Sequence, residues 1–143
     1  GGGITYRVMR ASNGDLRGGH TLRYPGIQYY WMYVATDSRK KFSIVVNPEL
    51  GIGNKNYSRE FYFYLNMTYR PINALNISLN PNFSTNINEM QYVATADAGG
   101  TPRYVVARID QTTIRLVMRA TYMLTPNLSI QYYGQPFGTA GQY

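Results

Sequence analysis

The chain has 143 residues, of which 15 are Tyr, and only 15% of its residues are charged. Its length suffices for one domain with a hydrophobic core. Cysteine is absent, which excludes a disulfide framework, a thiolate metal site and a cysteine nucleophile. The net charge of +7 comes from scattered basic residues without a recognised nucleic-acid motif, so we expect no nucleic-acid partner.

The first part of the chain predicts strands separated by turn signals. Residues 4–10 read as a short strand, and residues 11–26, rich in Gly, Asn and Arg, read as a long loop. Residues 27–36 are aromatic and β-branched enough for a strand that ends in the turn at residues 37–40. Residues 42–52 then alternate between apolar and mostly polar positions, which is the side-chain period of a strand.

The same alternation continues through the second half of the chain. It runs over residues 60–70, over residues 73–86 and over residues 103–123. Beyond residue 86 we expect the strand to continue toward residue 95, and the alternative is a bend in this stretch. Residues 128–133 begin a further strand. No segment has a helical period, and no apolar run approaches the length of a transmembrane helix.

Two regularities favour an outer-membrane barrel over a soluble sandwich. Tight turns at residues 37–40, 70–73 and 124–127 alternate with more open loops at residues 51–58 and 97–102, as in up-and-down membrane barrels. The strands are also longer than those of a sandwich, where turn signals recur about every 8–12 residues. We therefore predict an all-β fold, an antiparallel up-and-down transmembrane β-barrel of which this chain forms about six or seven strands.

The alternation assigns each strand an apolar face and a polar face. The residues predicted to face lipid are Phe61, Phe63, Leu65, Leu75, Ile77, Leu79, Phe83, Ile114, Leu116 and Met118. Those predicted to face the lumen are Arg115, Arg119, Asn76, Asn80 and Asn82. The two arginines would favour anions in a pore, or alternatively pair with carboxylates of strands outside this chain.

Two features interrupt or complicate the strands. Pro48 and Pro81 lie inside predicted strands, and proline removes a ladder hydrogen bond, so we expect bulges or edge positions there. The aromatic strand with Trp31 is expected to form an interfacial girdle, and a sugar-stacking platform is the alternative.

Nothing in the sequence favours catalysis, a cofactor or a metal. His20 is the only histidine and lies in a glycine-containing loop, and the seven carboxylates are dispersed, with Asp37 and Asp97 at turns. We therefore predict no catalytic, cofactor-binding or metal-binding residues and a protein that is not an enzyme.

Several short segments of the sequence also follow the pattern of a known family. They are Arg17-Gly18-Gly19 with Pro25, Ala35-Thr36-Asp37-Ser38-Arg39-Lys40, Gln91-Tyr92-Val93-Ala94-Thr95, Arg103-Tyr104-Val105, Asp110-Gln111-Thr112-Thr113, and residues 124–137. In these segments the sequence resembles the C-terminal outer-membrane barrel domain, of unknown function, that follows a family-nine-type carbohydrate-binding domain in Gram-negative envelope proteins. The resemblance covers roughly residues 15–143 and implies a membrane location rather than a reaction.

Six or seven strands are too few for a membrane barrel, for which about eight is the minimum. Residues 1–143 are therefore expected to be a single segment of a larger barrel, acting as channel, anchor or scaffold in the bacterial outer membrane. Its expected partners are the lipid bilayer and the remaining strands, from the same polypeptide or from other protomers; other envelope proteins and glycans are further candidates. The alternative is a soluble all-β carbohydrate-binding or surface-adhesion domain.

Overall fold

The computed structural model describes residues 1–8, 10–12, 14–16 and 21–142, and only the backbone of residue 10. Within these ranges the protein is all-β, with eleven strands, one short 3₁₀ turn at Asn54–Asn56 and no α-helix. The strands are β1 Gly2–Arg7, β2 Arg10–Ser12, β3 Leu22–Tyr24, β4 Ile27–Met32, β5 Val34–Ala35, β6 Phe42–Gly53, β7 Ser58–Ile72, β8 Leu75–Asp97, β9 Pro102–Thr125, β10 Leu128–Gly134 and β11 Phe137–Gln142.

Nine of these strands form one antiparallel sheet in the order β1-β4-β6-β7-β8-β9-β10, while β2 and β3 pair separately. Strands β4 and β5 both pair with β6 and keep one register, and β10 and β11 do the same along β9. The sheet therefore has seven strand positions, in agreement with the predicted six or seven. Among the described residues β1 does not pair with β10 or β11, so the sheet is open.

Proline explains why two of the seven positions are split. Strand β4 ends at Met32 and β5 begins at Val34, opposite Pro48 of β6. Strands β10 and β11 are separated at Pro136, whose carbonyl still accepts a hydrogen bond from the Leu116 amide at 3.0 Å. Because proline has no N–H, the return bond of each pair is missing and the ladder is interrupted there.

The prediction that Pro48 and Pro81 mark bulges or edge positions is wrong. Both lie in internal strands, β6 and β8. Pro81 stays in register with Leu116 of β9. Toward β7 the ladder skips the pairs between Asn82 and Leu79, and it resumes without a register shift. The missing N–H of Pro81 thus removes ladder pairs only on the side of β7, and it does not shift the register of β8.

The strand predicted over residues 73–86 continues beyond residue 86 in the structure. Strand β8 has 23 residues and β9 has 24, so the expected extension beyond residue 86 is confirmed. Two register shifts, at residues 88–91 and 92–94, separate the regular part of this hairpin from its far end.

The connections differ in part from those predicted. The segment predicted as one long loop, residues 11–26, contains β3 and the last two residues of β2, and this pair continues the register of β1 and β4. The connections at residues 54–57 and 98–101 are short, so they are not the open loops we expected. Strand β7 also continues to Ile72, past the start of the predicted turn at residue 70.

Asp37 and Asp97 are turn residues, as predicted. Asp97 Oδ1 accepts a hydrogen bond from the amide of Gly100 at 2.8 Å, and that glycine has a positive φ of 83°. Asp37 accepts hydrogen bonds from the Arg39 amide and guanidinium. The Arg39 guanidinium holds the pKa of the Asp37 carboxyl below its usual value.

The sheet is a single layer with almost no core. Among the described residues the buried hydrophobic side chains are Leu16, Ile27 and Tyr29. The accessible surface is 10123 Å², whereas a compact monomer of this mass exposes about 7,500 Å². Within the described residues no second sheet packs on this one, and only the N-terminal segment lies against one end of a face.

Candidate functional site

The cross-strand register brings the apolar positions of neighbouring strands together. Phe63 pairs with Pro48 on one side and with Phe83 on the other, and Phe83 pairs with Ile114. Residues that are directly opposite in a ladder point to the same face. All ten residues predicted to face lipid therefore lie on one face of the sheet: Phe61, Phe63, Leu65, Leu75, Ile77, Leu79, Phe83, Ile114, Leu116 and Met118.

This apolar face is not covered by any other part of the described chain. Ile114 is 59% exposed, Phe42 is 51% exposed and Leu79 is 36% exposed. In a soluble monomer such a continuous apolar surface marks an interaction site. No apolar partner for this face lies among the described residues.

The five residues predicted to face the lumen share the opposite face. Asn82 pairs with Arg115, and Ser78 pairs with Arg119. The Arg119 guanidinium lies 5.0 Å from the ring centre of Tyr133, a cation–π contact. Neither arginine forms an ion pair within the described part of the chain, so both charges are available to a solute or to another segment.

Asparagine forms a row along β8 on this polar face, at Asn76, Asn80, Asn82, Asn86 and Asn88. The side-chain oxygens of Asn80 and Asn86 are buried and have no hydrogen-bond partner among the described residues. Because an unpaired buried oxygen is costly, water or a further polar group is expected to reach this row.

The apolar face carries a band that crosses the strands obliquely. We define the apolar band as every second residue of β6 from Phe42 to Ile52, which are those on the apolar face, together with the apolar residues on the same face of the neighbouring strands. On β6 the band reaches Ile52, whose partner on β7 is Arg59. On β9 the same border lies at Ile114. The ladders connect Ile114 through Phe83 and Phe63 to Pro48 of β6, four residues before Ile52. The border thus moves by four residues, about 13 Å, over three strand spacings of about 4.8 Å, an angle of about 40°.

The other border of the apolar band moves in the same direction. On β6 it lies at Phe42, which the ladders connect through Tyr69 and Ile77 to Ala120 of β9, whereas on β9 it lies at Tyr122, two residues further. This is about 7 Å over the same three strand spacings, or about 25°. Measured on β6 from Phe42 to Ile52, the band extends about 33 Å along the strand and about 25 Å when projected at an angle of 40°.

The structure also reveals a cluster of hydroxyl groups around one carboxylate, Glu60, on the polar face, which the sequence did not predict. Glu60 accepts hydrogen bonds from the hydroxyls of Tyr29 at 3.1 Å, Ser58 at 3.3 Å and Tyr62 at 3.3 Å. The Arg7 guanidinium lies 4.6 Å from the ring centre of Tyr29. The shared parity of Ser58, Glu60 and Tyr62 was visible in the sequence, but the approach of Tyr29 depends on the pairing of distant strands.

A cavity of about 500 Å³ opens beside this cluster. Glu60 and Arg7 line it together with Tyr24, Tyr57 and Tyr92. The rings of Tyr24 and Tyr57 are 6.2 Å apart, which brings β3 against the start of β7. The N-terminal strands therefore fold over one end of the polar face.

The aromatic strand β4 divides its rings between the two faces. Trp31 pairs with Glu49, and Tyr29 pairs with Gly51, so both rings lie on the polar face. Tyr30 pairs with Leu50 and lies on the apolar face. The prediction of an outward girdle from this strand is therefore wrong for Trp31 and Tyr29.

Two kinds of feature, a metal-site cluster and a membrane-spanning helix, are absent from the described residues. No three His, Asp or Glu side chains within them come together as a metal site, and His20 lies outside them. They contain no helix of the length and apolarity needed to cross a membrane.

The comparisons with known proteins identify a family but no activity. No curated protein and no solved structure matches this chain. The model of a domain of unknown function, DUF5916, matches residues 12–142. Because the match covers most of the chain, this protein belongs to the DUF5916 family.

Proposed function

We propose that this chain forms seven adjacent strands of an outer-membrane β-barrel in a Gram-negative bacterium. In this proposal the apolar face contacts lipid and the polar face lines an aqueous lumen. The protein would serve as a channel, an anchor or a scaffold, without catalytic activity. The oblique apolar band is the observation that carries the proposal.

An oblique band is what a tilted strand in a membrane requires. The hydrocarbon layer is level, whereas the strands of a membrane barrel cross it at about 35–45°. A level apolar band must therefore move along successive strands at the same angle. The two borders slope in the same direction, the first at about 40° and the second at about 25°, and the projected height of about 25 Å equals that of the usual lipid-facing band.

Aromatic residues at one border support the same interpretation. Phe42 and Tyr69 pair at the end of the band on β6 and β7, and Tyr122 lies at its end on β9. Aromatic rings are enriched where membrane barrels meet the head groups. The interfacial girdle is thus proposed for these residues in place of Trp31.

The ends of the strands suggest an orientation. Two-residue connections at residues 73–74 and 126–127 lie at one end, as is typical of periplasmic turns. At the other end the band ends on β8 at Phe83, the partner of Ile114, and β8 continues for 14 more residues to Asp97, about 46 Å along the strand. We place this long hairpin and the N-terminal strands on the outside of the cell.

The resemblance to envelope proteins with a carbohydrate-binding domain agrees with this proposal. A specific observation favours a second candidate, a soluble carbohydrate-binding or adhesion domain. Tyrosine rings and the Glu60 carboxylate line the cavity, and such groups can stack on and hydrogen-bond to a sugar. This candidate does not explain why the opposite face is apolar and uncovered.

Partitioning tests the proposal against this second candidate. The chain is refolded from urea in buffer alone, with phospholipid vesicles and with the same vesicles added after refolding. The membrane proposal predicts aggregation in buffer and flotation with vesicles present during refolding. A soluble monomer that stays in buffer and is retained on a polysaccharide column would contradict it and support the second candidate.

A further inference from the structure

The two free edges of the sheet run in the same direction. Each of the seven strand positions is antiparallel to its neighbour. Because seven is odd, β1 at one edge is parallel to β10 and β11 at the other. If the sheet curled until its edges met, they would form a parallel pair.

Copies of this chain do not remove the mismatch. When copies with the same membrane orientation stand around one axis, β10 and β11 of one copy meet β1 of the next, again in parallel. An inverted copy would pair antiparallel, but it would place the short connections of the two copies on opposite sides of the membrane. Insertion from one side of the membrane gives all copies one orientation.

We infer that the edges are joined by an odd number of amphipathic strands from a polypeptide segment other than a copy of this chain. This inference rests on the proposed membrane barrel. An odd number makes the total even, so that each pair in the closed barrel is antiparallel, as in single-chain bacterial barrels. One added strand gives eight, which is about the smallest known number.

The edge formed by β10 and β11 indicates the side chains of the strand beside it. The outward positions of this edge carry Ile130 and Tyr132, followed by the small residues Gly134, Gly138 and Ala140. At Gly138 a side chain would meet nothing within 4 Å. The joining strand is therefore expected to place large apolar or aromatic side chains beside β11, since an aromatic neighbour covers a glycine in an edge strand.

A series of appended strands tests the inference. The probe is a designed ten-residue strand of alternating Leu and Thr, joined after Tyr143 through Asn-Gly turns, in zero, one, two or three copies. Each variant is refolded into phospholipid vesicles. Closure is measured by heat-dependent gel mobility and by hydrogen exchange of those β1 amides that point away from β4, which are protected only when that edge is paired.

The inference predicts that one and three added strands give a heat-dependent mobility shift and at least tenfold slower exchange in β1, whereas zero and two do not. Closure of the unextended chain, alone or as an oligomer of copies, would overturn it. Equal behaviour of the odd and even variants in vesicles would also overturn it while leaving the membrane proposal intact. Failure of all four variants to enter vesicles would overturn both.

Discussion

An arginine scan across adjacent residues of β7 distinguishes the two faces. Leu65 lies midway between Phe61 and Tyr69, the ends of the apolar band on this strand. Asn66 follows it on the polar face and is exposed. Leu65→Arg and Asn66→Arg therefore add the same charge to the same strand at nearly the same depth, but on opposite faces.

The expected difference follows from the environment of the added charge. An arginine on the lipid face at the midplane costs about 2–4 kcal/mol, whereas lumen positions tolerate polar substitutions. At about 1.4 kcal/mol per tenfold change in equilibrium constant, Leu65→Arg should weaken membrane folding by about 30-fold to 700-fold. Asn66→Arg should weaken it by less than about tenfold.

The assay is the equilibrium between unfolded chain in urea and folded chain in vesicles, measured for each variant by flotation over a urea series. Leu65→Gln is the control for loss of the leucine without a charge. The reasoning is refuted if Leu65→Arg and Asn66→Arg shift the midpoint equally, or if Asn66→Arg is the more disruptive. A soluble sheet with its apolar face in water predicts no penalty for Leu65→Arg.

Three further variants, the last of them a double substitution, test other parts of the structure. Glu60→Gln replaces an accepting oxygen by an amide that faces hydroxyl donors, so the free energy of unfolding should fall by about 1–3 kcal/mol; Glu49→Gln, on the same face, should change it less in the same urea titration. Pro136→Ala restores an N–H toward β9 and should stabilise the sheet by about 0.5–1.5 kcal/mol, seen as slower hydrogen exchange between β10 and β11, and faster exchange there would contradict the explanation of the strand break. In the complete barrel, Arg115→Ser with Arg119→Ser should lower anion permeability relative to cation permeability, and unchanged selectivity would exclude their role in a pore.

Much of the sheet could be predicted from local pattern. The alternation of Leu75, Ile77 and Leu79 with small polar residues identified a strand and its two faces, because the period of two is a property of the backbone. Each strand was assigned separately, yet the ladders place the apolar positions on one common face. A shift of one residue in any ladder would have broken this agreement.

Features that depend on pairing between distant residues could not be predicted. The contact of Tyr29 with Glu60 joins residues 31 positions apart, and the slope of the apolar band appears only after the registers are known. The composition of residues 11–26 suggested a loop because Gly and Asn are common in turns. The neighbouring strands extend their register into this segment and form β2 and β3 despite its composition.

Proline was interpreted correctly in its chemistry but not in its consequence. The missing N–H does remove ladder bonds, yet the longer ladders on either side hold Pro81 in register. The break appears instead in the neighbouring strand, where β4 and β5 are separated opposite Pro48.

The most direct test of the central claim is a cysteine scan over residues 75–83 of β8, which the absence of native cysteine makes possible. Each single-cysteine variant is labelled with an environment-sensitive fluorophore, folded into vesicles and quenched with lipids brominated in their acyl chains. The account predicts strong quenching at residues 75, 77, 79 and 83 and weak quenching at residues 76, 78, 80 and 82. Uniform quenching, or quenching with the opposite alternation, would contradict it.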